Sequence, residues 1–289
     1  MSACSIAIIA DSTCDIPTEL IERYHIDIVP QIIIWGNQEL RDRVDIQPEE
    51  FYQRLSTSPE LPTTSQPTVN CFSEHYRAAQ AAGATDIIVL TVSSAMSGTY
   101  QAALQAAQLA VVPVHVIDAK GPTMSLGWQT LAAARARETG VDTAGIIAAA
   151  DCVRQTLVQF VYLDTLDYLY KGGRIGNATR FIGALLDLKP LVEINHQTGL
   201  VEGADRVRTR RKGIEALYQR FFKQFDAAIT GQRSLHIAVL HGGAPEDAAL
   251  LAERIQQEYR PSELVINITG PVLGLHTGPR ALALCGYSE

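Results

Sequence analysis

Cysteine is scarce in this sequence. The chain has five cysteines among 289 residues, at Cys4, Cys14, Cys71, Cys152 and Cys285. An odd and scattered set excludes a disulfide framework, and the absence of any CxxC pair argues against a thiolate zinc site. We expect free thiols in a reducing compartment, which predicts a cytosolic protein.

Long hydrophobic runs and an excess of basic residues are absent as well. No uninterrupted apolar stretch approaches the roughly 18 residues that span a bilayer. The first four residues, Met-Ser-Ala-Cys, do not begin the basic and then apolar pattern of a secretory signal. Lysine and arginine number 24 against 31 aspartates and glutamates, a net charge of −7. This balance predicts that the protein has no nucleic-acid partner, because such binding needs a basic face.

Several common catalytic and nucleotide-binding motifs are missing. No two glycines are separated by a single residue, so a GxGxxG dinucleotide or kinase loop does not occur. The Walker A, HExxH and GxSxG motifs are absent too. These absences disfavour a Rossmann dehydrogenase, a P-loop enzyme, a zincin protease and an α/β-hydrolase. Catalysis by another arrangement stays open.

The hydrophobic content and the order of the predicted elements indicate a folded α/β protein. Hydrophobic residues make up 47% of the chain, enough to exclude disorder. A chain of 289 residues exceeds the usual size of one core, which predicts two domains. Strands alternate with helices over residues 1–160, and this predicts a mostly parallel sheet with helices on both faces. Residues 161–289 contain an antiparallel hairpin and predict an α+β domain.

Some segments carry more specific predictions. Residues 26–35 form a long apolar run and predict one strand, and Gly36-Asn37 predicts a tight hairpin after it. Residues 56–67 contain three prolines and predict a loop. The carboxyl edge of a parallel sheet is where such folds bind ligands, and the predicted loops 11–13, 64–68 and 93–99 lie near that edge.

Two polar segments of the N-terminal half have both a structural and a functional interpretation. Residues 63–68 lead into a helix, and capping by proline and hydroxyl side chains explains them without a ligand. Residues 93–99 join a buried strand to a helix N-terminus, where free backbone N–H groups can hold an anion. The Ser97 hydroxyl could donate to that anion, and Gly98 lets it come close. A cap and a tight turn explain the same residues.

The C-terminal half has two further polar segments. Lys171-Gly172-Gly173-Arg174-Ile175 is either a glycine helix stop or a turn that delivers Arg174 to a carboxylate or phosphate, which suits a planar guanidinium. His276 stands between Gly274 and Gly278-Pro279 in a glycine- and proline-rich segment that predicts a loop. This histidine is either structural or a ligand-binding group.

Taken together and in this order, the segments resemble the DegV family of bacterial lipid-binding proteins. The likeness spans nearly the whole chain. Six motifs carry it: Asp11-Ser12-Thr13, Thr64-Ser65-Gln66-Pro67, Ser97-Gly98-Thr99-Tyr100, residues 169–175, Lys189-Pro190 and His276-Thr277-Gly278-Pro279.

The resemblance implies a ligand and a set of residues that bind it. The family binds one long-chain fatty acid between an N-terminal α/β domain and a C-terminal α+β domain. Its carboxylate is held by residues that correspond here to Thr64, Ser97, Arg174 and His276. Gly98, Thr99 and Arg280 are predicted secondary contacts. The resemblance implies no catalytic residue, no metal and no cofactor apart from the bound acid.

The resemblance also implies partners. Some members present the acid to a separate ATP-dependent fatty-acid kinase subunit, and transient membrane contact is compatible with such a carrier. Two alternatives remain open. One is an enzyme that uses His276 on a small carbonyl or phosphorylated substrate, because the family fold is similar to part of the dihydroxyacetone kinases. The other is a lipid-sensing protein without a kinase.

Three features depart from the family pattern or stand outside it. Arg280 follows the HTGP motif where the family more often has glycine, and a second cation there could strengthen anion binding or narrow the opening. Gly121-Pro122-Thr123 opens a helix unusually and could reshape one end of the ligand cavity. Five cations stand within seven residues, at Arg206, Arg208, Arg210, Arg211 and Lys212. They form either a solvated face or a docking surface for an acidic kinase.

Overall fold

The computed structural model describes residues 5–181 and 188–289. The first four residues, which include Cys4 and on which the prediction of no secretory signal rests, lie outside this range. The other four cysteines are free thiols. Among the described helices, none is both long enough and apolar enough to cross a membrane.

The N-terminal half is built on a parallel sheet, as predicted. Its four strands, in the order β2-β1-β6-β7, are β1 (Ile6–Asp11), β2 (Ile26–Val29), β6 (Asp86–Thr91) and β7 (Val114–Asp118). The helices of this half are α1 (Thr18–Arg23), α2 (Pro48–Thr57), α3 (Val69–Ala81), α4 (Thr99–Ala107), α5 (Met124–Glu138) and α6 (Thr143–Thr156). Alternate residues of β1 pack against different helices: Ile8 faces the cluster with α5 and α6, and Ile9 faces the cluster with α3 and α4. Helices on both faces are therefore confirmed.

A small antiparallel sheet stands beside the parallel one. It consists of β3 (Ile32–Trp35), β4 (Gln38–Arg41) and β5 (Thr63–Ser65), in the order β4-β3-β5. The hairpin at Gly36-Asn37 is confirmed, because Trp35 pairs with Gln38 across it. The prediction of loop over residues 56–67 is wrong for Ser56 and Thr57, which end α2, and for the three residues of β5, which pair with β3.

The prediction of a single strand over residues 26–35 is also wrong. The chain leaves the parallel sheet after β2 and enters the small sheet at β3. Pro30 lies at the break and has no backbone N–H to donate to a strand ladder. The next N–H, that of Gln31, donates instead to the Ser12 hydroxyl at 3.1 Å. This change of sheet brings Gln31 toward the ends of the parallel strands.

The C-terminal half contains a six-stranded mixed sheet in the order β10-β9-β8-β13-β11-β12. Its strands are β8 (Val158–Tyr162), β9 (Lys189–Asn195), β10 (Leu200–Val207), β11 (Leu235–His241), β12 (Glu263–Ile268) and β13 (Leu282–Ser288). The helices are α7 (Asp167–Lys171), α8 (Arg210–Lys223), α9 (Asp226–Thr230), α10 (Pro245–Tyr259) and α11 (Pro271–Thr277). The pairs are antiparallel except β11 with β12. The α+β class is confirmed. The predicted domain division between residues 160 and 161 falls inside β8 and stays a prediction.

Helix α5 joins the two halves. It packs against β1 and β6 of the parallel sheet and against β13 of the six-stranded sheet. Ten of its fifteen residues are buried, which is typical of a helix enclosed on all sides. Trp128 near its middle is fully buried and donates from Nε1 to the Cys285 carbonyl at 3.3 Å. One continuous hydrophobic core therefore extends from the first sheet, through α5, to the second.

Candidate functional site

A cavity of about 190 Å³ lies between the loops at the carboxyl end of the parallel sheet and one face of the six-stranded sheet. The six-stranded sheet contributes an apolar wall that includes Val161, Val192, Ile194, Val201, Leu240 and Ala283. These residues come from five neighbouring strands and point to the same face, because strand side chains alternate between faces. The cavity is therefore an apolar space with polar groups at its margins.

The polar margin is formed by the loops that the sequence places at the sheet edge. Thr13, Thr64, Gln66 and Ser97 all line the cavity. Each comes from one of the three predicted loops, so the structure brings these loops together as predicted. This is the carboxyl edge at which open parallel sheets bind ligands.

Asp11 ties the ends of two parallel strands together at this edge. Its carboxylate is fully buried and accepts hydrogen bonds from the Val92 backbone at 2.6 Å and from the Thr13 backbone at 2.9 Å. The Thr13 hydroxyl donates to the same carboxylate at 2.6 Å. Burial raises the pKa of Asp11, against the opposing effect of these donors. The Asp-Ser-Thr motif therefore acts as a fixed support for the cavity margin.

His276 lies in the last turn of α11, so the prediction that it stands in a loop is wrong. Pro271 begins this helix, where its missing N–H costs nothing. The His276 side chain is buried, and its Nε2 lies 3.3 Å from the Thr64 hydroxyl oxygen. Burial, together with the positive charge of Arg174, lowers the pKa of His276 to about 4. The imidazole is therefore neutral at pH 7.

The two glycines of the Lys-Gly-Gly-Arg motif are needed for different reasons. Gly173 has a φ of +68°, a conformation that favours glycine. Gly172 has ordinary backbone angles, but a Cβ there would lie 2.2 Å from His276 Nδ1. The pair therefore turns the chain and lets the backbone approach the imidazole, whose Nδ1 is buried without a hydrogen-bond partner among the described residues.

Arg174 is held in place by backbone carbonyls. Its Nη1 donates to the Gly172 carbonyl at 2.7 Å and its Nε to the Met96 carbonyl at 3.2 Å. Met96 directly precedes Ser97, so the guanidinium lies beside the loop that carries this serine. Of the described residues that line the cavity, Arg174 is the one with a permanent charge. The arrangement therefore presents one fixed positive charge to the polar margin.

The bonding of Ser97 leaves its hydroxyl able to donate a hydrogen bond toward the cavity. Thr99 is fully buried and its hydroxyl accepts from Gln31 Nε2 at 2.9 Å. The same hydroxyl lies 2.8 Å from Ser97 Oγ, and the Thr99 backbone N–H donates to Ser97 Oγ at 3.3 Å. When Thr99 is the donor between the two hydroxyls, Ser97 Oγ accepts both bonds and its own proton is available for a ligand.

The three predicted secondary contacts, Gly98, Thr99 and Arg280, lie at different places relative to the cavity. Gly98 makes room for Gln66, since a Cβ on Gly98 would lie 2.6 Å from Gln66 Oε1. Thr99 supports Ser97 from behind and is not part of the cavity lining. Arg280 is exposed, lies outside the lining, and its Nε stands 3.6 Å from an Asp164 carboxylate oxygen.

The polar side chains at the cavity margin are of the kinds that bind a carboxylate. An arginine, two hydroxyl groups and a neutral imidazole are donors for an anion, and charge-assisted bonds of this kind are the strong ones. Among the described residues that line the cavity, none is a nucleophile with a base and an orienting acid beside it. Among residues 5–181 and 188–289, no group of three or more metal-binding side chains is placed to hold a metal ion.

Several lining residues are absent from the sequence-based set. Gln31, Thr123 and Gln159 line the cavity, and none of them was predicted to bind a ligand. Gln159 precedes Val161 by two residues on β8, so the two side chains share a face of the sheet. This spacing is the signal that could have placed Gln159 on the cavity face. The position of Gln31 follows from the change of sheet and has no local signal.

The chain is similar to known proteins over nearly its whole length. A family model described as the DegV family, of uncharacterised proteins, matches residues 5–289. A DegV domain-containing protein from Streptomyces coelicolor is 36% identical over 280 residues, which cover 96% of this chain and 97% of the relative.

Solved structures are similar as well. The structure of a DegV family protein from Thermus thermophilus, described by its fatty-acid binding, superimposes with a TM-score of 0.90 and 31% identity. It covers 99% of this chain and 100% of its own. A stearic-acid-binding protein from Eubacterium ventriosum superimposes with a TM-score of 0.89 and 25% identity, over 99% of this chain and 98% of its own.

Proposed function

The chain belongs to the DegV family, and we propose that it is a carrier of one long-chain fatty acid. The acyl chain occupies the cavity between the two sheets, and the carboxylate lies at its polar margin. Thr64, Ser97, Arg174 and His276 hold the carboxylate. The protein works in the cytosol, uses no cofactor or metal, and meets membranes only transiently.

One observation carries this proposal. A single fixed guanidinium, two hydroxyls and a neutral imidazole border a space whose opposite wall is apolar. A desolvated carboxylate is costly unless it is paired and hydrogen-bonded, and this margin supplies the partners. Each buried methylene contributes about 0.8 kcal/mol, so a long chain gains on the order of 10 kcal/mol before ordering costs.

The neutral state of His276 also supports binding over catalysis. An imidazole with a pKa near 4 is a weak base at pH 7 and does not readily take a proton from a substrate. It can still donate or accept one hydrogen bond at Nε2, where Thr64 already lies within reach. The enzymatic alternative built on His276 is therefore the weaker one.

The proposal includes a kinase partner that phosphorylates the bound acid. The basic run gives this partner a surface: Arg208 is exposed just before α8, and Arg211 and Lys212 are exposed in its first turn. Arg210 has a different role, because its Nη2 pairs with Asp247 at 2.7 Å in a partly buried ion pair. Exposed cations attract an acidic partner and speed its approach.

Native mass spectrometry of the purified full chain tests the carrier function directly. The expected result is a complex of one protein with one long-chain acid, which organic extraction releases. Adding octadecanoic acid to the extracted protein should restore the complex. A protein that neither carries nor takes up a long-chain acid would overturn the proposal.

A further inference from the structure

Gln66 lies where the polar margin of the cavity meets solvent. Among the described residues that line the cavity, the exposed ones are Ser65 and Gln66. The four side chains proposed to hold the carboxylate are half-buried or buried. Gln66 therefore stands on the solvent side of the proposed carboxylate site.

The position of Gln66 follows from the chain on either side of it. Strand β5 ends one residue earlier, at Ser65, and pairs with β3. Pro67 follows directly, and the residue before a proline favours an extended conformation. In an extended chain, side chains two residues apart point to the same side, so Gln66 shares a side with Thr64. Both side chains line the cavity.

The Gln66 carboxamide rests on the backbone of Gly98. A Cβ at Gly98 would lie 2.6 Å from Gln66 Oε1 and 2.8 Å from both Cδ and Nε2. Three amide atoms at nearly equal distances mean that a face of the amide lies against the glycine. Gly98 has a φ of −74°, which any residue adopts, so its backbone does not require glycine. The close approach of Gln66 is what leaves no room for a side chain there.

The amide of Gln66 is free to bind a ligand. Within the described part of the chain it has no hydrogen-bond partner, and the Ser65 hydroxyl donates to the backbone carbonyl of Gln66 instead. A carboxamide has two N–H donors. Gly98 follows Ser97 directly, so the amide lies beside the loop that carries a proposed carboxylate-binding hydroxyl. An N–H donor of Gln66 is therefore available at the polar margin.

We propose that Gln66 is a fifth group that binds the carboxylate, and that it closes over the carboxylate from the solvent side. The inference rests on the proposed carrier function. An N–H group beside a carboxylate forms a charge-assisted bond, which is stronger than a bond between neutral groups. Gly98 is a positioning residue for this contact, because a side chain at position 98 would displace the amide.

Two variants remove the amide from this position in different ways. Gln66→Ala deletes it, and Gly98→Ala pushes it aside, because the three atoms nearest to the added Cβ form the end of the flexible Gln66 side chain. Each variant should weaken the binding of octadecanoic acid about fivefold, the loss expected for one hydrogen bond. Delipidated full-length protein is titrated in competition with a fluorescent fatty acid. Gln101→Ala, at an exposed glutamine of α4 outside the cavity lining, should bind normally.

The double variant tests whether Gly98 acts through Gln66. Gln66→Ala combined with Gly98→Ala should bind octadecanoic acid as tightly as Gln66→Ala alone, because the added Cβ then has no amide to displace. Losses that multiply in the double variant would overturn the positioning role of Gly98.

A negative charge at position 66 tests whether this side chain faces the carboxylate. Gln66→Glu should weaken the binding of octadecanoic acid roughly tenfold and leave that of octadecanol nearly unchanged, because like charges repel and the alcohol carries none. Gln101→Glu makes the same change on α4 and should leave both affinities nearly unchanged. A general loss of structure would weaken the acid and the alcohol equally.

The outcomes separate this inference from the carrier function. Unchanged binding of octadecanoic acid by Gln66→Ala would overturn the role of Gln66 and leave the carrier function standing. Equal losses for the acid and the alcohol in Gln66→Glu would overturn that role as well. Failure of the unmodified protein to bind octadecanoic acid would overturn the carrier function and this inference with it.

Discussion

Gly172 lies so close to His276 that any Cβ at position 172 would stand 2.2 Å from the imidazole Nδ1. The glycine that ends α7 therefore determines where the histidine of a different helix can sit. That position in turn sets the 3.3 Å distance between His276 Nε2 and the Thr64 hydroxyl. A motif that looks like a simple helix stop thus fixes one side of the polar cavity margin.

Gly172→Ala should displace His276 and weaken the binding of octadecanoic acid at least tenfold in a competition titration. The matched control is Gly173→Asn, because asparagine tolerates the positive φ and a Cβ there has no neighbour within 4 Å. We expect the control to bind nearly normally. Equal binding by Gly172→Ala and the unmodified chain would contradict the role of this contact.

Ser97→Ala and Arg174→Ala should each reduce retention of the bound acid at least tenfold, since each removes one donor to a desolvated carboxylate. Mass spectrometry of the purified variants measures the lipid occupancy. Arg208→Ala removes an exposed arginine outside the cavity lining and serves as the control. Unchanged occupancy in the Ser97 and Arg174 variants would count against the assigned head-group site.

Thr99→Val should weaken binding about fivefold without unfolding the protein. The change removes the hydroxyl that bonds Gln31 and Ser97, so Ser97 loses a hydrogen bond that positions its side chain at the cavity margin. Thr130→Val is the matched control, because Thr130 is also buried but donates only to the Leu126 carbonyl of its own helix. Affinities and urea midpoints measured for both variants separate an effect on the site from a loss of stability.

His276 should make the protein less stable in acid. Its pKa is about 4 in the folded state and 6.5 in the unfolded chain, so below pH 6.5 the unfolded state takes up the proton first. Its contribution to stability is therefore full above pH 6.5 and falls as the pH drops toward 4. Between pH 7.5 and pH 5 the free energy of unfolding should fall about 2 kcal/mol less in His276→Gln than in the unmodified chain.

Urea unfolding of the ligand-free protein at the two pH values measures this difference. His25→Gln is the control, because that histidine is exposed. Parallel pH profiles for His276→Gln and the unmodified chain would show that the imidazole does not titrate as the structure indicates.

Arg208→Glu and Arg211→Glu should slow ATP-dependent acyl-phosphate formation by a fatty-acid kinase and make it less sensitive to salt. Both side chains are exposed, and reversing their charge repels an acidic partner. Arg210→Glu is a poor probe, because it would also break the pair with Asp247. Rates that depend neither on salt nor on these charges would remove the docking surface from the proposal.

Much of this architecture could be predicted from the sequence because it follows from local patterns. Apolar runs that alternate with helical stretches predicted the parallel sheet, and Gly36-Asn37 predicted the hairpin. The loops after β1 and β6 were placed correctly at one edge, since the carboxyl ends of parallel strands meet there. The candidate head-group residues follow from the family resemblance, and their role in binding stays a prediction.

The features that could not be predicted depend on contacts between distant segments. The break at Pro30 is decided by a bond from Gln31 to Ser12, and nothing nearby shows which sheet the next strand joins. The glycines around His276 predict a loop, because glycine disfavours helix. The segment nevertheless forms a seven-residue helix that begins at Pro271. Gln159 lines the cavity where β8 meets the segment before α5, and there its Nε2 donates to the Thr123 hydroxyl. This contact joins segments that are distant in the sequence.

Helix α5 packs against strands of both sheets and begins next to the cavity. Its buried side chains therefore act as a spacer that sets how far apart the two layers stand. It follows that the width of the cavity can be changed at Trp128, which does not line it. Relatives with the same residues at the polar margin can thus differ in cavity width through substitutions outside the cavity lining.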